Sequence, residues 1–272
     1  MKLCVIGNSH VGMLRAAARE LGDDGPEITF FAKAGAGIER ARVRGSVIAA
    51  KDRDLRAAQA RFGMPEKVDV AGFDATILVA GTASIYGALR ILQACRVSGW
   101  PSCRTAPENG GPRTPGPLGR ALVSEPAFVA ILTDHARAGA SFHFAEAFRR
   151  ASAVPIFLVP QPYPSERVFE STRPREYGFL RARRNGDGAA ISACLNRAID
   201  RAFGEIGNLT VLHQPTDTIA HGFTTARIFT RDAVRVDGDT AQHAADLLHV
   251  GPAFGKRVLA RVIEGLRVGV AA

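Results

Sequence analysis

Cysteine is scarce in this chain and forms no recognisable motif. The four cysteines, Cys4, Cys95, Cys103 and Cys194, show neither a close pair nor the spacing of a metal site, which argues against a disulfide scaffold or a cysteine metal centre. Thiols used in this way are typical of a reducing compartment. Because Lys2 leads directly into an apolar strand pattern, we also expect no secretory signal peptide. The sequence therefore predicts a cytoplasmic protein.

Lysine and long apolar runs are lacking as well. Lysine occurs at only five positions among 35 basic residues, so arginine carries most of the net charge of +9. The arginines are scattered and no basic stripe with interleaved aromatic residues accompanies them, which argues against nucleic-acid binding. We attribute the arginine excess to compositional bias rather than to an anionic ligand. Since no apolar run reaches the length of a membrane span, the sequence predicts neither a nucleic-acid partner nor a membrane span.

What the sequence does contain is a regular alternation of strand and helix patterns. The predicted strands cover residues 3–6, 27–32, 75–80, 154–159 and 209–213, with a further short strand at 46–49. The predicted helices cover 10–21, 52–62, 85–97, 189–203 and 251–266, with one or two more in 124–150. Such alternation is typical of an α/β fold with a parallel sheet. We therefore predict a three-layer, doubly wound sheet of about five parallel strands, in a single domain over residues 1–272.

Two stretches interrupt this alternation. Residues 99–120 are rich in proline and glycine, a composition that predicts a surface insertion, either a flexible excursion or a lid over the site. Residues 223–239 look irregular, with room for a small hairpin. Neither stretch carries an obvious chemical motif.

The most informative stretch is the first one, Lys2 to Gly12. An apolar strand ends at Gly7, and Ser9 then stands between that strand and the first helix. Ligands of open α/β sheets bind at the carboxyl ends of strands, and the unpaired N–H groups of a helix start favour negative charge there. Doubly wound order would also bring the glycine loops at Gly37 and Gly81 to the same edge. On position alone, Ser9 is equally a helix cap or a nucleophile.

A serine nucleophile needs a base, since its own hydroxyl is scarcely ionised near neutral pH. Asp246 and His249 form an Asp-x-x-His sequence just before the last helix, so the carboxylate can hold the imidazole in the tautomer that faces a nucleophile. His10 adjoins Ser9 but neighbours in a helix point apart, which makes it a poor partner. The remaining histidines show no metal-ligand spacing, and we predict no metal and no cofactor.

Together these blocks resemble the SGNH (GDSL-type) hydrolase superfamily. The resemblance rests on Gly7-Asn8-Ser9 after strand one, glycine loops after strands two and three, and Asp-x-x-His before the last helix. It implies a flavodoxin-like three-layer fold, Ser9 as nucleophile, His249 as general base and Asp246 as the residue that orients it. Within the family, Gly7-Asn8-Ser9-His10 is most similar to the branch that adds or removes acetyl groups on sugars and polysaccharides.

The resemblance also implies an oxyanion hole, and here the chain departs from the family. The backbone N–H groups of Ser9 and Gly37 would line the hole. The family's third donor is an asparagine side chain, but Ala83 falls at that place and has no donor. Three alternatives stay open: a hydroxyl of Thr82 or Ser84 substitutes, Gln161 supplies a donor from another loop, or the protein is a weak enzyme or a binding protein. Losing one such donor typically costs about 10²–10³ in turnover.

The sequence therefore predicts a serine esterase that works through an acyl-enzyme, with O-acetyl groups of a sugar or polysaccharide as the substrate. The same chemistry would allow transfer to a second hydroxyl. The alternative is a catalytically silent protein of the same fold that binds a glycan or a partner, motivated by the absent asparagine. A nucleotide-binding interpretation is weaker, because no phosphate-loop pattern occurs after the first strand.

Overall fold

The computed structural model describes residues 1–104 and 120–270. In these residues the strands are β1 (Lys2–Gly7), β2 (Glu27–Ala32), β3 (Arg42–Arg44), β4 (Val47–Ala49), β5 (Lys67–Asp69), β6 (Ala75–Val79), β7 (Cys95–Val97), β8 (Ala121–Val123), β9 (Ile156–Val159), β10 (Leu209–Val211), β11 (Ile219–Ala220) and β12 (Thr224–Thr225). The α-helices are α1 (Gly12–Leu21), α2 (Arg53–Arg61), α3 (Ile85–Ile91), α4 (Pro101–Arg104), α5 (Glu125–Arg137), α6 (Ala140–Ala151), α7 (Tyr177–Asn185), α8 (Gly188–Phe203) and α9 (Pro252–Val270).

The centre of the molecule is a five-stranded sheet in the order β10-β9-β6-β1-β2. Each of its four strand pairs is parallel. If these five strands are numbered by their position along the chain, their order across the sheet is 2-1-3-4-5. The direction in which strands are added therefore reverses between β1 and β6. This confirms the predicted α/β class with five parallel strands.

Two hydrophobic cores cover the two faces of this sheet. Cys4 and Ile6 of β1 point into one core, which also holds buried side chains of α3, α5, α6 and α8. Leu3 and Val5 point into the other, formed with α1 and α9. Because successive strand residues face opposite sides, the part of a strand that is buried on both faces must be apolar throughout, as residues 3–6 of β1 are. The sheet with helices on both sides is the predicted three-layer architecture.

The helix predicted over 85–97 is wrong in its second half. Helix α3 ends at Ile91, and Cys95–Val97 form β7, which pairs in parallel with β8. Cys95 and Val97 are both buried while the residue between them is exposed, the alternation of a strand rather than of a helix. Local sequence cannot reveal this pairing, because the partner strand begins at Ala121.

Smaller elements differ in the same way. The predicted short strand at 46–49 is β4, but it is the middle of an antiparallel sheet β3-β4-β5 whose outer strands the sequence did not indicate. The hairpin predicted within 223–239 occurs earlier, as β11 and β12. Residues 124–150 contain two helices, α5 and α6.

Of the predicted insertion at 99–120, residues 105–119 lie outside the described residues. The prediction of one domain over 1–272 stays a prediction. No helix in the described ranges, 1–104 and 120–270, is long and apolar enough to cross a membrane.

Candidate active site

Ser9 lies where the winding of the sheet reverses. It follows β1 directly, and the adjacent strand β6 ends beside it at Val79. The two strand ends approach closely here, since a Cβ on Gly7 would lie 2.5 Å from the carbonyl oxygen of Val79. A crevice at the carboxyl ends of strands, at the reversal point, is where open α/β sheets bind ligands.

The turn after β1 positions the serine. Ser9 begins a short 3-10 turn, Ser9–Val11, that runs directly into α1. The side chain of Asn8 caps this turn, because its Oδ1 accepts a hydrogen bond from the backbone N–H of His10 at 3.1 Å. Asparagine is among the residues preferred at such a cap, so Asn8 stabilises the turn that carries Ser9.

Asp246 and His249 lie together on the loop before α9. The Asp246 carboxylate accepts hydrogen bonds from the backbone N–H of His249 at 2.9 Å and from its Nδ1 at 3.1 Å. A carboxylate three residues before the imidazole thus closes a local turn that sets the orientation of the ring. This is the pairing expected from the Asp-x-x-His spacing.

The structure brings this loop to Ser9. Nε2 of His249 lies 2.8 Å from Oγ of Ser9, although 240 residues separate the two in sequence. Because the Nδ1–H of His249 donates to Asp246, the hydrogen-bond network assigns Nε2 as the acceptor of the serine hydroxyl. The side chains of His249 and Asp246 are only 13% and 17% exposed. This geometry allows proton transfer from the serine to the imidazole.

The charge of Asp246 is maintained by its partner. Burial alone would raise the pKa of this carboxyl, but hydrogen bonding to His249, the charge of that ring and backbone N–H groups together lower it. The carboxylate is therefore ionised at neutral pH and stabilises an imidazolium beside it.

Gly37 lies in the loop after β2, the strand next to β1 in the sheet, and this loop makes contacts within itself. Its φ of +118° is in the left-handed range that favours glycine. Its N–H donates to Oε2 of Glu39 at 2.8 Å, and the side chain of Lys33 covers its Cα. The N–H expected in the oxyanion hole is therefore bound by a carboxylate.

The loop after β6 carries Thr82 and Ser84, the two hydroxyl candidates for the third oxyanion donor, and they differ in their hydrogen bonding. Ala80 has a positive φ of 58°, uncommon for a residue with a Cβ, and Oγ of Ser141 donates to its carbonyl at 2.6 Å. Ser84 caps α3, accepting from the N–H of Gly87. Oγ1 of Thr82 is buried with no hydrogen-bond partner among the described residues.

Gln161 follows a strand that is not adjacent to the strand before Ser9. It follows β9, which β6 separates from β1, and it lines a small cavity with Tyr163, Asn196 and His213. Nε2 of His213 lies 2.6 Å from a carboxylate oxygen of Asp200, so this histidine is engaged away from Ser9.

The sequence did not indicate the roles of His10 and Glu39. His10 was expected to point away from Ser9 and to be a poor partner for it; nothing in the sequence indicated that its ring lies 4.9 Å from that of His249, centroid to centroid. Only the tertiary structure reveals this contact. Glu39 stands two residues after Gly37, so its closeness in sequence was a signal for a local hydrogen bond.

Within residues 1–104 and 120–270, no group of three histidine, cysteine or carboxylate side chains is arranged to hold a metal ion. Comparison with models of protein families gave no match. Comparison with curated proteins found no relative above the threshold of significance.

Proposed function

We propose that this protein is a serine ester hydrolase in which Ser9 is the nucleophile. The observation that carries the proposal is the 2.8 Å contact between Oγ of Ser9 and Nε2 of His249, with Asp246 on the other side of the ring. Three side chains in this order, at the reversal point of the sheet, are the arrangement that activates a serine. Helix capping does not account for it, since Asn8 supplies the cap of the first turn.

The reaction follows from this geometry. Ser9 Oγ bonds to the ester carbonyl carbon while His249 takes the hydroxyl proton. Collapse of the tetrahedral intermediate breaks the ester C–O bond, and the imidazolium returns the proton to the departing alcohol. Water then adds to the acyl carbon while the same imidazole takes its proton; the bond between that carbon and Oγ breaks, the proton returns to Oγ, and the acid leaves. Asp246 remains ionised throughout and holds the ring.

The oxyanion of the tetrahedral intermediate requires hydrogen-bond donors, and one of the expected donors is already bound within the chain. The N–H of Ser9 is one. The N–H of Gly37 is a second donor once the carboxylate of Glu39 moves away from it. For the third, Thr82 is the best candidate of the three left open, because its hydroxyl has no partner in the described residues, whereas Ser84 serves as a cap and Gln161 follows a distant strand.

For the substrate we propose O-acetyl groups of a sugar or polysaccharide. The support is the resemblance of Gly7-Asn8-Ser9-His10 to enzymes of that kind. The proposed site needs no cofactor for this chemistry, since base, nucleophile and donors all come from the chain.

A catalytically silent binding protein of the same fold is the second candidate. Two observations favour it: Ala83 offers no donor where the family has asparagine, and the N–H of Gly37 is bound by Glu39. Such a protein would keep the triad contact but would lack an organised oxyanion hole.

Hydrolysis of p-nitrophenyl acetate separates these possibilities. We expect Ser9→Ala and His249→Ala each to abolish the activity, and a fluorophosphonate probe to label wild-type protein on Ser9. If the wild-type protein and both variants hydrolysed the ester at the same rate, the esterase proposal would be contradicted. A failure of the probe to label Ser9 would favour the silent binding protein.

A further inference from the structure

His10 is buried against the face of the base. The residue is only 5% exposed. The centroid of its ring lies 4.9 Å from the centroid of the His249 ring, and the two ring planes make an angle of 32°. The turn that carries Ser9 also carries His10, and the bond from its N–H to Asn8 fixes the backbone there. The proposed nucleophile and the ring that contacts His249 are therefore consecutive residues of one turn.

His10 does not serve as a second base. Burial, and after it the charge of His249, lower its pKa to about 3, while the charge of Asp246 opposes them. The ring is thus neutral under ordinary conditions. Its Nδ1 is buried without a hydrogen-bond partner among the described residues, an arrangement that costs stability. Packing, rather than a hydrogen bond from this nitrogen, holds the ring.

The imidazole of His249 needs such a contact. Asp246 holds one edge of the ring through Nδ1, at 3.1 Å to both carboxylate oxygens. A hydrogen bond along one edge leaves the ring free to tilt about that edge. A flat neighbour against the face removes this freedom without adding charge next to the imidazolium that forms.

We propose that His10 is a positioning residue whose ring holds His249 in the plane that directs Nε2 at Oγ of Ser9. This inference rests on the proposed esterase function, in which that contact carries the proton. Because a misplacement of about 1 Å in a reacting group can cost on the order of 10²-fold, the contact is worth a large part of kcat. Binding of substrate does not depend on it.

The kinetic test compares two substitutions. His10→Leu keeps the site apolar but removes the flat ring, and we expect kcat to fall about 10- to 100-fold with little change in KM. His10→Phe restores a flat neutral ring and should recover most of the lost kcat. If His10→Phe were as slow as His10→Leu, or if the loss lay in KM rather than in kcat, the proposal would be overturned.

A spectroscopic test does not require activity. In ¹⁵N-labelled protein, His249 should show one neutral tautomer with the proton on Nδ1, identified by comparison with His249→Ala. We expect His10→Leu to keep this tautomer, which Asp246 sets, but to shift the Nε2 signal because the contact with Ser9 weakens, and we expect His10→Phe to retain the wild-type signal. An unchanged His249 signal in His10→Leu would overturn the proposal, whatever happens to kcat. If Ser9→Ala hydrolysed ester as fast as wild type, the esterase proposal would fail while this test of His10 would still decide.

Discussion

Replacing His10 with phenylalanine should make the protein more resistant to acid. In the folded state burial holds the pKa of His10 at about 3, against 6.5 for an ordinary histidine. Between these two values the unfolded chain binds a proton that the folded protein does not. Stability is therefore lost as the pH falls below about 6.5.

The size of the effect follows from that difference. Each pH unit below the unfolded pKa costs about 1.4 kcal/mol, so His10 alone lowers the free energy of unfolding by about 2 kcal/mol between pH 7 and pH 5. His10→Phe removes this loss. His249 and Asp246 face the ring and are present in both proteins, so the difference between variant and wild type reports on the buried ring of His10 in their company.

Urea unfolding at pH 7 and pH 5 measures this. The stability of His10→Phe relative to wild type should increase by about 2 kcal/mol at the lower pH. His135→Phe, at an exposed position of α5, is the matched control and should leave the pH dependence of wild type unchanged. The same stability difference at both pH values would show that His10 is not a buried neutral histidine, and the reasoning would fail.

Further predictions concern the donors and the orienting carboxylate. Glu39→Ala should raise kcat/KM several-fold, because it frees the N–H of Gly37. Glu39→Gln keeps a hydrogen-bond acceptor and should raise kcat/KM less. A lower kcat/KM in Glu39→Ala would mean that Glu39 supports the loop. Thr82→Val should lower kcat about 100-fold while Thr82→Ser retains it, and equal rates would remove Thr82 from the oxyanion hole. Ser84→Ala should cost about 1 kcal/mol of stability as a lost cap, seen in thermal unfolding, with kcat nearly unchanged. Asp246→Asn should reduce kcat by about 10³–10⁴ with the fold intact by circular dichroism.

The fold could be predicted where local patterns and packing agree. The five strands of the central sheet are apolar runs bounded by glycine, proline or polar residues, and all five occur close to their predicted positions. Strands that depend on a distant partner were missed. Cys95–Val97 continues a helical pattern locally and becomes a strand only because Ala121–Val123 lies beside it.

The sequence by itself determined which residues carry reactive groups and in which order: Ser9 after the first strand, and Asp246 and His249 before the last helix. Strand order brought those ends together, since β1 is an interior strand of the sheet, next to β6 at its centre, and α9 packs beside α1. Only the tertiary structure decided what surrounds the triad. Three features depend on side-chain directions, which no spacing along the chain encodes: the hydrogen bond from Gly37 to Glu39, the lack of a partner among the described residues for the hydroxyl of Thr82, and the position of the His10 ring.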